Sequence, residues 1–185
     1  MLLQKKVCML GAHGVGKRSL TSTCEQPFAG QYATSVGVRI CRKILEIDGR
    51  SLTLTIWDIA DIDGFKWLQG YLRGMNGYLL VADGTRPETV QRVRDIFGQI
   101  WSFEQPQAAS QDSASYVQFP YRKPFLLLLN KCDLTEEWKV EKSFLEILFN
   151  KGWPVEVVSA KENRGVEEAF LRLAREMLAL QTTGK

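Results

Sequence analysis

A glycine-rich segment near the start of the chain has a spacing that suits phosphate binding. An apolar, strand-like run at residues 7–10 leads into residues 11–17, which follow the pattern G-x-x-x-x-G-K and end at Lys17. In such a loop the backbone amides point toward phosphate oxygens, and the lysine reaches the outer phosphates of a nucleoside triphosphate. A turn with no ligand is the alternative interpretation. Alone, the segment predicts a nucleotide-binding loop of unspecified base preference.

Two later segments can select the base. Residues 130–133, Asn-Lys-Cys-Asp, follow a short apolar run, and residues 159–161 are Ser-Ala-Lys. The Asp133 carboxylate can accept hydrogen bonds from both N1 and N2 of guanine, whereas adenine offers no such pair of donors. We expect the Lys131 stem to lie over the ring, Asn130 to tie this loop to the glycine-rich loop, and the Ala160 amide to reach guanine O6. A helix-capping role for Asp133 is the alternative.

These motifs, in their order and spacing, resemble the Ras superfamily of small GTPases, with Rab-like features. Residues 57–60, Trp-Asp-Ile-Ala, are similar to the Rab pattern Trp-Asp-Thr-Ala, and residues 35–38, Ser-Val-Gly-Val, to Thr-Ile-Gly-Val. The resemblance covers about residues 5–180. It implies binding of GTP or GDP, and two switch segments, at about 30–42 and 58–73, that contact protein effectors or regulators.

The resemblance also assigns individual residues. It implies Mg²⁺ as a cofactor, with Asp58 and Ser35 as metal ligands, and it places Phe28 edge-on to the guanine and Tyr32 near the phosphates. The nucleotide-binding residues that it implies are Gly11, His13, Gly14, Val15, Gly16, Lys17, Arg18, Ser19, Phe28, Ser35, Asp58, Asn130, Lys131, Asp133, Ser159, Ala160 and Lys161.

One departure from the family pattern falls on the metal. The family has a Ser or Thr hydroxyl after the loop lysine as a direct Mg²⁺ ligand, and this chain has Arg18. Mg²⁺ requires near-octahedral oxygen ligands, and a guanidinium has no lone pair to give. One residue along a helix rotates a side chain by about 100°, so Ser19 does not simply replace it. We therefore predict weakened Mg²⁺ dependence; a realigned loop that brings Ser19 to the metal is the alternative.

Other residues differ from the family pattern at positions that serve GTP hydrolysis. Because of these differences, no catalytic residue is assigned. Ile62 occupies the usual position of the glutamine that orients the attacking water, and it has no hydrogen-bonding group. Asp61 replaces a glycine whose amide contacts the γ-phosphate, so its carboxylate would face a negative group. His13 stands where the family has a small residue, and it would obstruct an arginine finger from an activating protein. These changes predict weak or absent hydrolysis.

The elements that must position these residues alternate between strands and helices, which predicts an α/β fold. The family resemblance implies a P-loop NTPase G domain, with a six-stranded, mainly parallel sheet, one antiparallel strand and helices on both faces. Predicted strands cover residues 4–10, 38–47, 51–58, 77–83, 125–130 and 155–159. The first predicted helix begins near Lys17, the second runs from Pro87 to about Phe103, and the third from about 136 to 149. The last predicted helix is amphipathic and includes residues 166–177.

Two local signals qualify this layout. The dipeptide Asp48-Gly49 predicts a tight hairpin, so the strands on either side of it should be antiparallel. The segment 105–122 is polar and longer than an ordinary loop. Two interpretations stay open, a disordered insertion or a partner-binding loop. The whole chain of 185 residues is otherwise expected to form a single domain.

Composition excludes several other classes of protein. The formal net charge is +3, which is too small to indicate nucleic-acid binding, and the four cysteines have no zinc-site spacing. No apolar run approaches a membrane span, and neither terminus carries a lipidation or secretion signal. We expect a cytoplasmic protein whose recruitment to a membrane, if any, depends on a partner. Three functions stay open: a pseudo-GTPase, a slow GTPase switch that needs a partner, and a nucleotide-free scaffold.

Overall fold

The computed structural model describes residues 3–22, 24–27, 37–60, 65–104 and 123–182. Within these ranges the chain forms seven strands, five α-helices and one short 3-10 turn. The strands are β1 Leu3–Leu10, β2 Glu25–Pro27, β3 Val38–Ile47, β4 Arg50–Ile59, β5 Gly77–Asp83, β6 Phe125–Asn130 and β7 Val155–Val157. The helices are α1 Lys17–Leu20, α2 Phe65–Leu72, α3 Glu88–Glu104, α4 Lys142–Asn150 and α5 Val166–Thr182.

All of these strands belong to one sheet, in the order β2-β3-β4-β1-β5-β6-β7. Among the described strands only β3 runs against the others, because it pairs antiparallel with both β4 and β2, and the remaining pairs are parallel. Asp48 and Gly49 have φ values of 50° and 72°, as the tight hairpin between β3 and β4 requires. The predicted α/β fold with one antiparallel strand is therefore confirmed. The structure adds β2, a three-residue edge strand that the sequence analysis did not predict.

Helices cover both faces of the sheet. Alternate residues of β1 enter two separate core clusters: Val7 and Met9 pack with α5, and Cys8 and Leu10 pack with α3. Strands β5 and β6 are buried along their whole length, as expected for parallel strands with helices on either side. The carboxyl ends of β1, β5 and β6 consequently meet at one edge of the sheet, where ligands bind in open α/β folds.

Two predicted boundaries were wrong. The helix predicted from about residue 136 begins only at Lys142, after the 3-10 turn Thr135–Glu137. The intervening residues dock instead on Gly84, whose carbonyl accepts hydrogen bonds from the amides of Lys139 and Val140. A Cβ on Gly84 would lie 2.0 Å from the Trp138 ring, so only glycine permits this contact. Strand β7 ends at Val157, two residues early, because Ser159 pairs with Arg164.

Candidate functional site

The glycine-rich loop joins β1 to α1 and contacts two neighbouring strands. A Cβ on Gly11 would lie 2.1 Å from the carbonyl oxygen of Val81 in β5, so the loop can approach that strand only as glycine. Gly16 has φ of 98°, and a Cβ there would lie 2.2 Å from the amide nitrogen of Asn130. Both glycines are thus required by the protein's own packing, in addition to any ligand.

The polar side chains in and just after this loop differ in their exposure to solvent. Lys17 is only 9% exposed, and its Nζ donates to the carbonyl oxygens of Gly11 at 2.6 Å and Ala12 at 3.0 Å. His13, Arg18 and Ser19 are exposed to solvent. We call residues 11–19 together with Asp58 the phosphate end of the site.

Asn130, at the end of β6, links the other two predicted motifs to the loop. Its Nδ2 donates to the carbonyl oxygen of Val15 at 2.9 Å, and its Oδ1 accepts from the amide of Ala160 at 2.9 Å. The side chain is only 2% exposed. The predicted tie between the base-reading loop and the glycine-rich loop is therefore confirmed, and the same side chain also fixes the loop after β7. We call residues 130–133 and 159–161 the base end.

Asp133 is held by a partner that the sequence analysis did not predict. The hydroxyl of the buried Ser159 donates to Asp133 Oδ1 at 2.6 Å, and this bond lowers the pKa of the carboxyl, with Lys161 Nζ 3.9 Å from Oδ2. The short helical turn that follows has no side-chain cap, so the helix-capping alternative is wrong. Asp133 is thus oriented by Ser159 and kept ionised.

Sequence reasoning also missed a buried carboxylate beside the base end. Asp83, the last residue of β5, is fully buried, and its Oδ2 accepts from Lys131 Nζ at 2.5 Å and from Arg86 Nε at 3.0 Å. Burial opposes ionisation, but these bonds and two from Thr85 together lower the pKa of Asp83 to about 2. Arg86 also donates to the carbonyl oxygen of His13 at 2.9 Å. Asp83 therefore connects the base end to the phosphate end through two cations; the only sequence signal was a charged residue at the end of an apolar strand.

Asp58 lies at the carboxyl end of β4, facing the phosphate end. Burial raises the pKa of its carboxyl, while the positive charges of Lys17, Arg39 and Arg18 oppose that rise. The exposed Arg18 is thus close enough to act on the one predicted metal ligand that the structure describes. Electrostatically, the surroundings of Asp58 are cationic.

Two described residues, Asp58 and Arg18, stand at positions that the family pattern assigns to the Mg²⁺ site. Asp58 supplies an oxygen, Arg18 supplies none, and no group of three or more His, Cys, Asp or Glu in the described ranges could hold a metal ion. Among the described residues, the departure from the family pattern is therefore the missing oxygen at the position after Lys17. The other predicted ligand, Ser35, lies outside the described residues, together with Phe28, Tyr32, Asp61, Ile62 and the segment 105–122.

The arrangement defines a nucleotide-binding class of α/β protein, and comparison with known proteins identifies the family. The Ras family model matches residues 6–179. Rab-1C of Dictyostelium discoideum is 29% identical over 178 residues, 93% of this chain and 80% of that protein. The GTP-binding protein YPT1 of Saccharomyces cerevisiae is 32% identical over 178 residues, with shares of 93% and 78%. The chain therefore belongs to the Ras family of small GTPases and is Rab-like.

A third relative, the GTP-binding protein ypt2 of Schizosaccharomyces pombe, is 31% identical over 175 residues, 93% of this chain and 80% of that protein. Proteins of this family bind GTP or GDP, generally with Mg²⁺, and interact with effectors and regulators. In the ranges that the structure describes, no helix is long and apolar enough to cross a membrane.

Proposed function

We propose that this protein is a guanine-nucleotide-binding regulator in which GTP hydrolysis is weak or absent and Mg²⁺ dependence is reduced. One observation carries the proposal: the base end is fully assembled, whereas the phosphate end has an arginine in place of the metal-binding hydroxyl. Selectivity for guanine and chemistry on the phosphates are supplied by different residues, so the first can persist while the second is lost.

The base end supports guanine binding through Asp133 and Ala160. With Ser159 bonded to one carboxylate oxygen, the Asp133 side chain is already fixed in place before a ligand arrives. Asn130 likewise orients the Ala160 backbone through its amide. A preorganised site loses little conformational entropy on binding, which favours affinity. The nucleotide supplies the phosphates and the base, and the residues that would hold it are those of the base end and residues 11–17.

At the phosphate end, positive charge from the protein supports binding with less need of a metal ion. Lys17 and Arg18 both act on the Asp58 carboxylate, and Arg86 reaches the carbonyl of His13 in the loop. A guanidinium neutralises phosphate charge and donates up to five hydrogen bonds, but it cannot complete an octahedral metal site. Arg18 is therefore proposed to take over part of the metal's electrostatic role.

Weak hydrolysis rests on residue types. Ile62 has no group that could orient a water molecule, Asp61 would place a carboxylate toward the γ-phosphate, and the exposed His13 adds bulk beside it. Regulation would then act through protein partners that contact segments 30–42 and 58–73. A GTPase switch that a partner completes is the second candidate, which the family membership favours, and a nucleotide-free scaffold is the third.

The test is the nucleotide content and turnover of the purified full chain, with Mg²⁺ and with a chelator. Lys17→Ala, which removes the ammonium from the loop, is the matched reference for a weakened phosphate site. Bound GTP that survives chelation and long incubation supports the proposal. Bound GDP that is lost on chelation, with measurable GTP turnover, would establish the working switch instead. A protein that binds neither GTP nor GDP would support the third function, a nucleotide-free scaffold.

A further inference from the structure

Two cysteines lie near each other at the β2–β3 edge of the sheet. Cys24 directly precedes β2, and Cys41 lies within β3. Glu25 pairs with Arg42 in the antiparallel register, which brings Cys24 level with Lys43, on the same face of β3 as Cys41. Cys24 packs against the core cluster that contains Cys41, and a hydrogen bond from the Cys41 thiol lowers the pKa of Cys24.

The two thiols are not equivalent. Cys41 is buried at 1% exposure, whereas Cys24 is partly exposed and packs against the same core cluster. The hydrogen bond from Cys41, together with the charges of Lys43 and Arg39, lowers the pKa of Cys24 against the opposing effects of burial and Glu167. Donation of that bond and burial raise the pKa of Cys41. The accessible sulfur is thus the better nucleophile, and the buried one lies next to it.

The positive charge beside Cys24 is built into the fold. Lys43 Nζ forms an ion pair with Glu167 of α5 at 2.7 Å and lies 5.4 Å from the centre of the Phe170 ring. The Lys43 side chain is only 9% exposed, so solvent screens its charge poorly. Cationic surroundings and partial exposure are the conditions under which a cysteine becomes reactive.

We propose that Cys24 and Cys41 are a redox modification site, which a peroxide converts reversibly to a disulfide. In the first step the Cys24 thiolate attacks one peroxide oxygen, the O–O bond breaks, and the departing hydroxide takes a proton to form water, leaving a sulfenic acid. In the second step the Cys41 sulfur loses its proton and attacks the Cys24 sulfur. The S–O bond breaks and a second water leaves. The two thiols together lose two electrons, which the peroxide gains.

The disulfide would connect the start of the edge strand β2 to β3. It closes a chain loop across residues 25–40, which includes most of the segment 30–42 that is proposed to contact partners. Cys8 and Cys132 differ in their surroundings: Cys8 is fully buried within β1, and the Cys132 sulfur accepts a hydrogen bond from Arg164. The proposal therefore predicts one specific cross-link among four thiols.

The test exposes the reduced full-length protein to hydrogen peroxide, alkylates the remaining thiols, and maps the peptides by mass spectrometry. The expected product is an intramolecular Cys24–Cys41 disulfide that a thiol reductant reverses. It should be absent from Cys24→Ser and Cys41→Ser, and it should persist when Cys8 and Cys132 are both replaced by alanine. A dominant link to another cysteine, or a Cys24 sulfenic acid that never resolves, would overturn the proposal.

Two matched charge variants separate a chemical role of the site from simple proximity. Lys43→Gln should slow the reaction of Cys24 with peroxide by about threefold or more, because a neutral neighbour lowers the thiolate fraction. Glu167→Gln should accelerate it by a similar factor, because it removes the opposing negative charge. Both rates are measured by thiol loss at neutral pH, with circular dichroism to verify folding. Equal rates in the wild type and both variants would refute the assigned electrostatics, whatever the protein's nucleotide binding.

Discussion

The base end and the phosphate end of the site differ in how far the protein completes them without a ligand. At the base end Asn130 uses both halves of its amide, to Val15 and to Ala160, and Asp133 is bonded to Ser159. At the phosphate end Lys17 bonds the carbonyls of its own loop, and Arg18 is exposed in the position of a metal-binding hydroxyl. The first region is held by hydrogen bonds between its own motifs, whereas the second combines the hydrogen bonds of the buried Lys17 with the exposed charge of Arg18.

This difference separates recognition from reaction within one pocket. Buried hydrogen bonds are directional, so removing the side chain of Asn130 or Ser159 leaves a polar group unpaired and is costly. Charge at the phosphate end is less directional, so an arginine can substitute for some of a cation's attraction without its coordination geometry. The difference between the two ends can be tested in two ways, by disrupting the hydrogen bonds of the base end or by restoring the hydroxyl at the phosphate end.

The largest expected effect is that of Asn130→Ala. It leaves the buried Val15 carbonyl and the partly buried Ala160 amide without their partner, at about 1–3 kcal/mol for each group. We expect the free energy of unfolding to fall by about 4 kcal/mol, measured by urea denaturation at pH 7, with loss of guanine-nucleotide binding. Asn150→Ala, the same truncation at an exposed residue of α4, should change stability by less than about 0.5 kcal/mol. Similar small losses in both variants would show that the base end is not held by Asn130.

Asp133→Asn should change the preferred base with a smaller effect on stability. The Ser159 hydroxyl holds one oxygen, so an asparagine would keep its carbonyl toward Ser159 and turn its amide nitrogen toward the ligand. That nitrogen repels a guanine donor and suits the O2 acceptor of xanthine. We expect GTP affinity to fall by about 100-fold, equivalent to about 2.7 kcal/mol, and xanthosine triphosphate to bind more tightly than GTP. Competition against a fluorescent nucleotide measures both; unchanged preference would exclude Asp133 as the base reader.

Particular residues show what the sequence can and cannot predict about this site. The Asp48-Gly49 hairpin is a local signal whose geometry depends on neighbouring residues, so it was predicted correctly. The contact of Trp138 with Gly84 and the bond between Ser159 and Asp133 join residues that are distant in sequence, so no local pattern contains them. Asp83 was missed because its partner Lys131, 48 residues away in sequence, reaches it only in the folded sheet.

Asp83→Asn tests the link between the two ends, with an expected loss of about 2 kcal/mol at pH 7. The folded-state pKa of Asp83, about 2, lies below its ordinary value of 3.8, so its stabilising contribution is complete above about pH 4 and disappears as the pH falls through 2. The difference between wild type and variant should therefore shrink to about half at pH 3 in urea titrations. Asp95→Asn, at an exposed residue of α3, is the matched control. A difference that is constant from pH 7 to pH 3 would contradict the assignment.

The smallest effect is expected for Arg18→Ser, which tests whether Arg18 is the cause of reduced Mg²⁺ dependence at the phosphate end. Restoring a hydroxyl next to Lys17 should return metal dependence, so the ratio of nucleotide release rates with and without chelator should rise by about tenfold, or about 1.4 kcal/mol. Ser19→Ala is the matched variant: with Arg18 in place, loss of an exposed hydroxyl should leave that ratio unchanged. If Ser19→Ala instead abolished a metal dependence present in the wild type, Ser19 would be the ligand. In that case the charge of Arg18 would be incidental to a conventional site.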